Sequence, residues 1–372
     1  MEKFLLLLSF CLILSCTSNN KQENNKSAEA YKTTYAQGLS IKKFPDYTEV
    51  QILNPWDTTR ILHTYILVPR DAQLPSNIPL GTVVRTPLKN VAVYSSVHCS
   101  MLEAIDAGQT ITGVCDSQYI TLPFIKEGLS SGKIKDLGES YSPDVEKIIE
   151  LNPEAILVSP MENMGYGRVE KCGIPIIECS DYMENHPLGR TEWIRLLGLF
   201  FGQEGKADSL FSQTMTRYNE LCNNLPQKVH KPSVFTETKL SSVWYQPGGN
   251  SYMACLLKDA GADYIWKNDS HTGSIALSFE TVFEKAHQAD IWLIKYNNEK
   301  DLTYQSLEKD YKPYNQFDAF KNKNIYGCNT LKSSYYDDLP LHPDYILKDM
   351  INIFHPGHLS DTSLKYFKKL NE

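Results

Sequence analysis

The 372-residue sequence predicts an α/β fold of two halves separated by one long helix. Three observations predict it. From Asn90 onward short β-rich apolar runs alternate with helical stretches, the pattern of parallel strands covered on both faces by crossover helices. Between Glu204 and Leu225 the apolar residues Ala207, Leu210, Phe211, Met215, Tyr218, Leu221, Cys222 and Leu225 recur at helical steps of three and four. A helix-strand unit also occurs once on each side of that stretch. EKIIELNPEAILV over Glu146–Val158 and ETVFEKAHQADIWL over Glu280–Leu293 each open a helix with Glu and place Ala nine residues later, before an apolar strand.

The elements follow in order. Residues from about 40 to 85 read as extended over Tyr47–Leu53 and Arg60–Val68, with Pro69, Pro75 and Pro79 closing the stretch, and predict a β-hairpin. Val91–Tyr94 reads as a strand, Cys99–Ala107 as a helix and Ile111–Cys115 as a strand. Pro143–Leu151 reads as a helix with Ser142 as N-cap and Pro at its first position. Ala155–Val158 is a strand, Val169–Cys172 part of a helix and Ile174–Cys179 a strand. The long helix spans about 30 Å at 1.5 Å per residue and is closed by Pro226 and Pro232. After it, Val234–Thr236 and Val243–Tyr245 read as strands, Tyr252–Asp259 and Phe279–His287 as helices, Ile291–Tyr296 as a strand and Tyr345–Ile353 as a helix.

Composition narrows the function. At 42% hydrophobic the chain buries at least one large core, and by length two lobes are favoured over one. Basic residues number 37 against 44 acidic, for a net charge of −7. No Lys/Arg cluster offers the basic face that a nucleic-acid binder needs. Lys3 precedes an apolar run from Phe4 to Leu14, too short to span a bilayer, and a polar stretch from Thr17 to Ala30 follows. That arrangement is a secretory signal. The order Ile13, Leu14, Ser15, Cys16 resembles a bacterial lipoprotein cleavage box, with Ile where Leu is usual. The resemblance implies that Cys16 becomes lipidated and forms the new N-terminus; an ordinary signal with an incidental Cys16 is the other reading. Seven further cysteines contain no Cys-x-x-Cys, so a zinc knuckle or thioredoxin-type pair is excluded, and their apolar neighbours mark most as small buried hydrophobes.

Residues Val91–Gly108 with Ile111–Val114, SPDVEKIIELNPEAILV, GRTEWIRLLGLFFGQEGKA and Ser278–Leu293 together resemble the substrate-binding lipoproteins of bacterial ABC importers for ferric siderophores, haem and cobalamin. The match spreads over the chain from Asn90 onward; the hairpin before it and the segment Tyr335–His355 fall outside. The resemblance implies two Rossmann-like lobes joined by one stiff helix, with a ligand cleft between them. The domain limits are then 1–15 for the signal, 16–35 for a tether, 36–203 for the hairpin and first lobe, 204–225 for the connecting helix and 226–372 for the second lobe. It further implies one exposed Glu per lobe that docks into an Arg pocket of a permease dimer. By position in the repeat these are Glu146 and Glu280, and a Glu in a first helical turn is favoured by the helix dipole.

Ligands in open α/β sheets sit outside the carboxyl ends of the strands. That rule nominates Ser95, Ser96, His98, Tyr119, Met161, Glu162, Tyr166 and Arg168 in the first lobe. In the second it nominates Trp244, Tyr245, Tyr252, Tyr296, Asn297, Tyr335 and Tyr336. Aromatic planes with an Arg suit a large, partly apolar metal chelate with anionic edges. Gly128–Gly132 spells the nucleophile-elbow pattern around Ser130, but a helix precedes and a strand follows, the reverse of an elbow. Gly165 and Gly167 lack the third glycine of a dinucleotide fingerprint. His342, His355 and His358 lack metal-ligand spacing, so no directly bound metal, cofactor or catalytic residue is assigned.

The expected function is therefore a monomeric, membrane-anchored, extracytoplasmic binding protein that carries an iron chelate to an ABC permease and breaks no bond. Cobalamin is the rival cargo. A direct zinc or manganese carrier and an enzyme on a related two-lobe scaffold are the readings from other classes.

Overall fold

A computed structural model describes residues 29–225 and 230–372, so Cys16 and the signal lie outside the described residues. The chain opens with β1 (Glu29–Tyr31), β2 (Leu39–Lys43), β3 (Thr48–Leu53), β4 (Ile61–Pro69) and β5 (Thr82–Thr86). They form one sheet in chain order, antiparallel except for the parallel β4–β5 pair. This corrects the expected hairpin. β3 and β4 do pair as read, but β2 buries only Leu39 and Ile41, too short an alternation to mark it in sequence. The tether boundary at 35 also moves. β1 already belongs to the sheet, and buried carboxylates hold the chain behind it. Glu192 accepts the N–H groups of Thr34, Tyr35 and Ala36, and Glu184 those of Gln37 and Gly38, at 2.7–3.0 Å. Charge-assisted bonds of this kind are the strong ones.

The first lobe is a parallel sheet. Its elements run β6 (Val91–Val93), α1 (Ser96–Ala104), β7 (Ile111–Val114), α2 (Pro123–Ser131) and β8 (Lys135–Asp136), then a small hairpin of β9 (Gly138–Glu139) and β10 (Ser142–Pro143). α3 (Val145–Leu151), β11 (Ala155–Val158) and β12 (Ile176–Glu178) complete it. Strand order is β12-β11-β6-β7-β8. All residues of β6 and β11 are buried, because helices cover both faces. Asp144, not Ser142, caps α3 by accepting the Lys147 N–H at 3.1 Å. Ser142 and Pro143 are committed to pairing with Glu139 and Gly138, which pushes the cap two residues on.

Three helices then follow without an intervening strand: α4 (Pro187–Glu192), α5 (Ile194–Phe201) and α6 (Glu204–Asn223). α6 is the expected long helix, and its two ends serve different partners. Toward the first lobe, Ala207 meets Gly198 of α5, and the Arg195 guanidinium sits 4.6 Å over the Phe211 ring. Toward the second, Thr214 donates to the Leu341 carbonyl, Arg217 pairs with Asp344 at 2.6 Å, and Tyr218 donates to Asp259 at 2.7 Å.

The second lobe repeats the plan. β13 (Ser233–Thr236), β14 (Lys239–Leu240), β15 (Val243–Pro247), α7 (Tyr252–Asp259), β16 (Asp263–Tyr264) and β17 (Ser274–Leu277) lead to α8 (Phe279–Ala286) and β18 (Ile291–Tyr296). After them come α9 (Tyr304–Asp310), α10 (Asp318–Lys321), β19 (Ile325–Asn329), α11 (Tyr335–Asp338), α12 (Pro343–Phe354) and β20 (Lys368–Lys369). The main sheet runs β16-β13-β18-β19-β20, parallel but for β20, beside an antiparallel sheet β14-β15-β17. Phe235, Trp244, Trp292 and Phe317 pack ring on ring at its centre, with centroids 4.8–6.1 Å apart. The sequence repeat is a structural one: in both α3 and α8 a side-chain cap is followed by an apolar residue and then Glu, at Glu146 and Glu280. Among the described residues no helix is long and apolar enough to cross a membrane.

Candidate functional site

The carboxyl ends of β6, β7, β11 and β12 open onto one hollow of about 880 Å³ in the first lobe, a volume suited to a small-molecule ligand. Ser95, Ser96, Tyr119, Met161, Tyr166 and Arg168 line it as expected. Tyr119, Tyr141, Met161, Met164 and Tyr182 ring it with exposed apolar surface, which a soluble surface does not gather in one place without a partner. A second hollow of about 480 Å³ lies in the other lobe, at the ends of β13, β18 and β19, and takes in Tyr245, Tyr296, Asn297 and Tyr336. The rims adjoin. Ser100 and Thr121 of the first lobe donate to the Asp337 carbonyl and carboxylate, at 3.2 and 2.7 Å, beside Tyr336 on one side and Tyr119–Ile120 on the other.

The floor of the first hollow carries a buried charge cluster. Asp181, just beyond β12, accepts from His98 Nε2 and from Arg190 Nε, each at 3.0 Å. Burial pushes the Asp181 carboxyl up, but Arg190 and His98 outweigh it and hold the group below its ordinary range, charged. Arg190 therefore reaches the hollow from a fixed base. Arg168 is exposed at the rim, and Ser95 leaves the first turn of α1 without a side-chain cap. Two guanidinium groups and a helix N-terminus favour an anionic edge on the ligand.

One side chain links the hollow to the N-terminal sheet. The Tyr166 hydroxyl donates to Glu178 at 2.9 Å, the other Glu178 oxygen meets His63 Nδ1 at 3.1 Å, and His63 Nε2 meets Thr82 at 2.8 Å. Burial and the Glu178 charge push the Tyr166 phenol well up, so it stays a donor. In the second hollow Glu237 pairs with Lys295; burial works against the Lys295 charge and Glu237 outweighs it.

Five nominated residues line neither hollow; of these, Glu162 is exposed on the surface next to Met161, whose side chain does reach the first hollow. His98 points inward from α1 and anchors Asp181. Trp244 is fully buried, its indole N–H donating to the Thr236 carbonyl at 3.0 Å, because strand alternation turns Trp244 into the core and Tyr245 outward. Tyr252 is half-buried and donates to the Leu339 carbonyl at 3.1 Å. Tyr335 is buried inside α11, against Tyr366 and Phe367. Conversely Tyr94, Asp181, Tyr182 and Arg190 line the first hollow without having been nominated. Tyr94, Asp181 and Tyr182 follow strand ends, so the same rule reaches them; nothing in sequence marks Arg190.

Glu146 and Glu280 are both exposed at the second position of their helices, and Glu146 also stands on the rim of the first hollow. The Glu280 carboxyl is held low by a backbone N–H and Ser278. Ser130 lies in the last turn of α2 and donates to the Glu127 carbonyl, and His358 bonds the Asn224 carbonyl at 2.7 Å.

Comparison with known proteins agrees with this geometry. A family model described as periplasmic binding protein matches residues 91–330, starting on the first residue of β6 and leaving the N-terminal sheet outside. An uncharacterized lipoprotein of Methanocaldococcus jannaschii is 31% identical over 78% of this chain and 70% of its own length. A second uncharacterized lipoprotein of that organism is 23% identical over 97% of this chain and 95% of its own. Among solved structures, a periplasmic haem-binding protein of Vibrio cholerae aligns with a TM-score of 0.58 at 18% identity, covering 72% of this chain and all of that one. A possible iron-binding periplasmic solute-binding protein from Staphylococcus epidermidis aligns at 0.58 and 17%, covering 73% of this chain and all of that one. At such identities the likeness is one of fold. Two parallel-sheet lobes on one connecting helix, with the matched span covering both, make this chain a member of the periplasmic binding protein family.

Proposed function

We propose that the chain is a lipid-anchored extracytoplasmic binding protein that captures a ferric siderophore or similar iron chelate and passes it unchanged to an ABC permease. The observation that carries this reading is the first hollow: tyrosine and methionine side chains left exposed around it, two arginines within it, and volume for a ligand far larger than an ion. Solved structures of the same fold are described as a haem-binding protein and as part of an ABC-type Fe3+-hydroxamate transport system. Among the described residues no His or Cys lines this hollow and its carboxylates form no ligand cluster, which disfavours a bare zinc cargo there. Lipoprotein relatives support anchoring through Cys16, and the matched positions of Glu146 and Glu280 support docking on a two-fold permease.

The test is the visible spectrum of the full chain, purified in detergent, after incubation with ferric siderophores, haem and cobalamin and removal of free ligand. Retained iron-chelate bands support the reading. Retained corrinoid bands replace iron with cobalamin, and retention of none of them removes the chelate reading. For delivery, the double substitution Glu146→Ala with Glu280→Ala is expected to abolish uptake in cells while leaving retention intact; unchanged uptake rejects the docking pair.

A further inference from the structure

Away from both hollows, donor side chains converge where α4, α6 and α7 meet. His186 precedes α4, Cys222 lies in the last turn of α6, and Cys255 and Asp259 stand one turn apart on α7. The ligand atoms of His186, Cys255 and Asp259 all lie within 4.8 Å of one another, the one such group of His, Cys, Asp or Glu among the described residues. Cys255 Sγ is 3.6 Å from Asp259 Oδ2. A tetrahedral zinc ion with Zn–S of about 2.3 Å and Zn–O of about 2.0 Å has an S···O edge of about 3.5 Å. The Tyr218 hydroxyl donates to the same Oδ2 at 2.7 Å, the kind of outer bond that orients a ligating carboxylate.

We propose that His186, Cys255 and Asp259 bind a zinc-class divalent cation that staples α4 of the first lobe to α7 of the second, with solvent free to take the fourth position. Thiolate and imidazole donors with a single carboxylate select zinc over calcium or magnesium, which take all-oxygen sites. The site is distinct from the cargo site, since none of the three residues lines either hollow. It lies against the second-lobe end of the connecting helix, where an added tie between lobes limits their relative movement. Two proton movements accompany binding. The Cys255 thiol releases its proton. His186 Nδ1 accepts the Leu188 N–H at 3.1 Å, so its neutral ring carries the proton on Nε2; ligation through Nε2 shifts that proton to Nδ1 and gives up the cap. Affinity therefore rises with pH as the Cys255 thiol yields its proton.

The experiment uses the full chain in detergent, reduced and stripped of metal, titrated with Zn2+ and separately with Co2+. One equivalent of Zn2+ is expected to bind and to raise the thermal midpoint, and Co2+ is expected to give a thiolate-to-cobalt charge-transfer band that Zn2+ displaces. Cys255→Ser abolishes the band, and Tyr218→Phe weakens binding about ten- to a hundredfold. Asp259→Asn, which keeps the shape of the side chain, serves where Cys255→Ser does not fold, and also removes tight binding. Arg168→Ala leaves the zinc stoichiometry unchanged. Absence of the band, a band that survives Asp259→Asn, or a Cys222–Cys255 disulfide in protein isolated without reductant overturns the proposal.

Discussion

Replacing Asp181 by Asn separates the charge of the hollow's floor from its shape. Asp181 is 1% exposed and Arg190 12% exposed at its side chain. Asn keeps the volume but cancels the charge and turns one acceptor into a donor, which then faces the N–H of either His98 or Arg190. Removing one partner of a buried pair costs about 3–5 kcal/mol, because the other charge stays buried and uncompensated. At roughly 2.1 cal/mol/K per residue, ~340 ordered residues unfold with about 0.7 kcal/mol/K. The thermal midpoint at pH 7 is therefore expected to fall by about 4–7 °C, read by calorimetry. The pH dependence fixes the cause. Since the folded Asp181 carboxyl is held below its ordinary value, its stabilisation is complete above about pH 4 and is lost as pH falls through the lowered value. Wild type and variant are expected to differ at neutral pH and to converge in acid. Equal midpoints at pH 7, or a gap that persists unchanged in acid, refute the argument. Retention of an anionic chelate should hold or improve, since the Arg190 charge is no longer offset; a loss of retention at normal stability would make Asp181 itself a contact of the cargo.

Three further outcomes follow from the same geometry. Glu192→Gln leaves the N–H groups of Thr34, Tyr35 and Ala36 on a neutral partner and Arg195 short of an anion; limited proteolysis should cut between residues 29 and 38 at concentrations that spare the wild type, and equal resistance rejects the role. His63→Ala removes the brace behind Glu178 and should weaken chelate retention about fivefold, the worth of one hydrogen bond of ~1 kcal/mol. Tyr166→Phe should match it, and a double variant no worse than either single one confirms that they act in series. Trp244→Ala is expected to cost about 3–5 kcal/mol of stability with the bound-chelate spectrum unchanged in position; a shifted spectrum would return Trp244 to the site.

The repeat and the connector were legible because their signals are local. Tyr252–Asp259 and Ile291–Tyr296 carry their periodicity within one run, and the structure sets both at the expected limits. The N-terminal sheet was legible only in its β3–β4 part. The parallel pairing of β4 with β5 and the addition of β1 depend on partners distant in space, and the anchors of that segment, Glu184 and Glu192, come from some 150 residues on. In the site, the strand-end rule found the right loops but not the right faces. Trp244 and Tyr245 must point in opposite directions, and alternation alone does not say which is inward. Arg190 and Asp181 meet because α4 packs against the turn Asp181–Met183 that follows β12, a tertiary fact with no trace in spacing.

α6 gives Phe211 to one core and Tyr218 to the other, and a continuous apolar cluster runs through both lobes. A body tied along such a beam does not swallow its guest by swinging shut. Differences in cargo size then fall to what lines the mouth: unbranched thioethers at Met161 and Met164, which re-pack at little cost, and phenols at Tyr119 and Tyr141. On the proposed chelate reading, selectivity in such a mouth is graded by how well a molecule's outline is met.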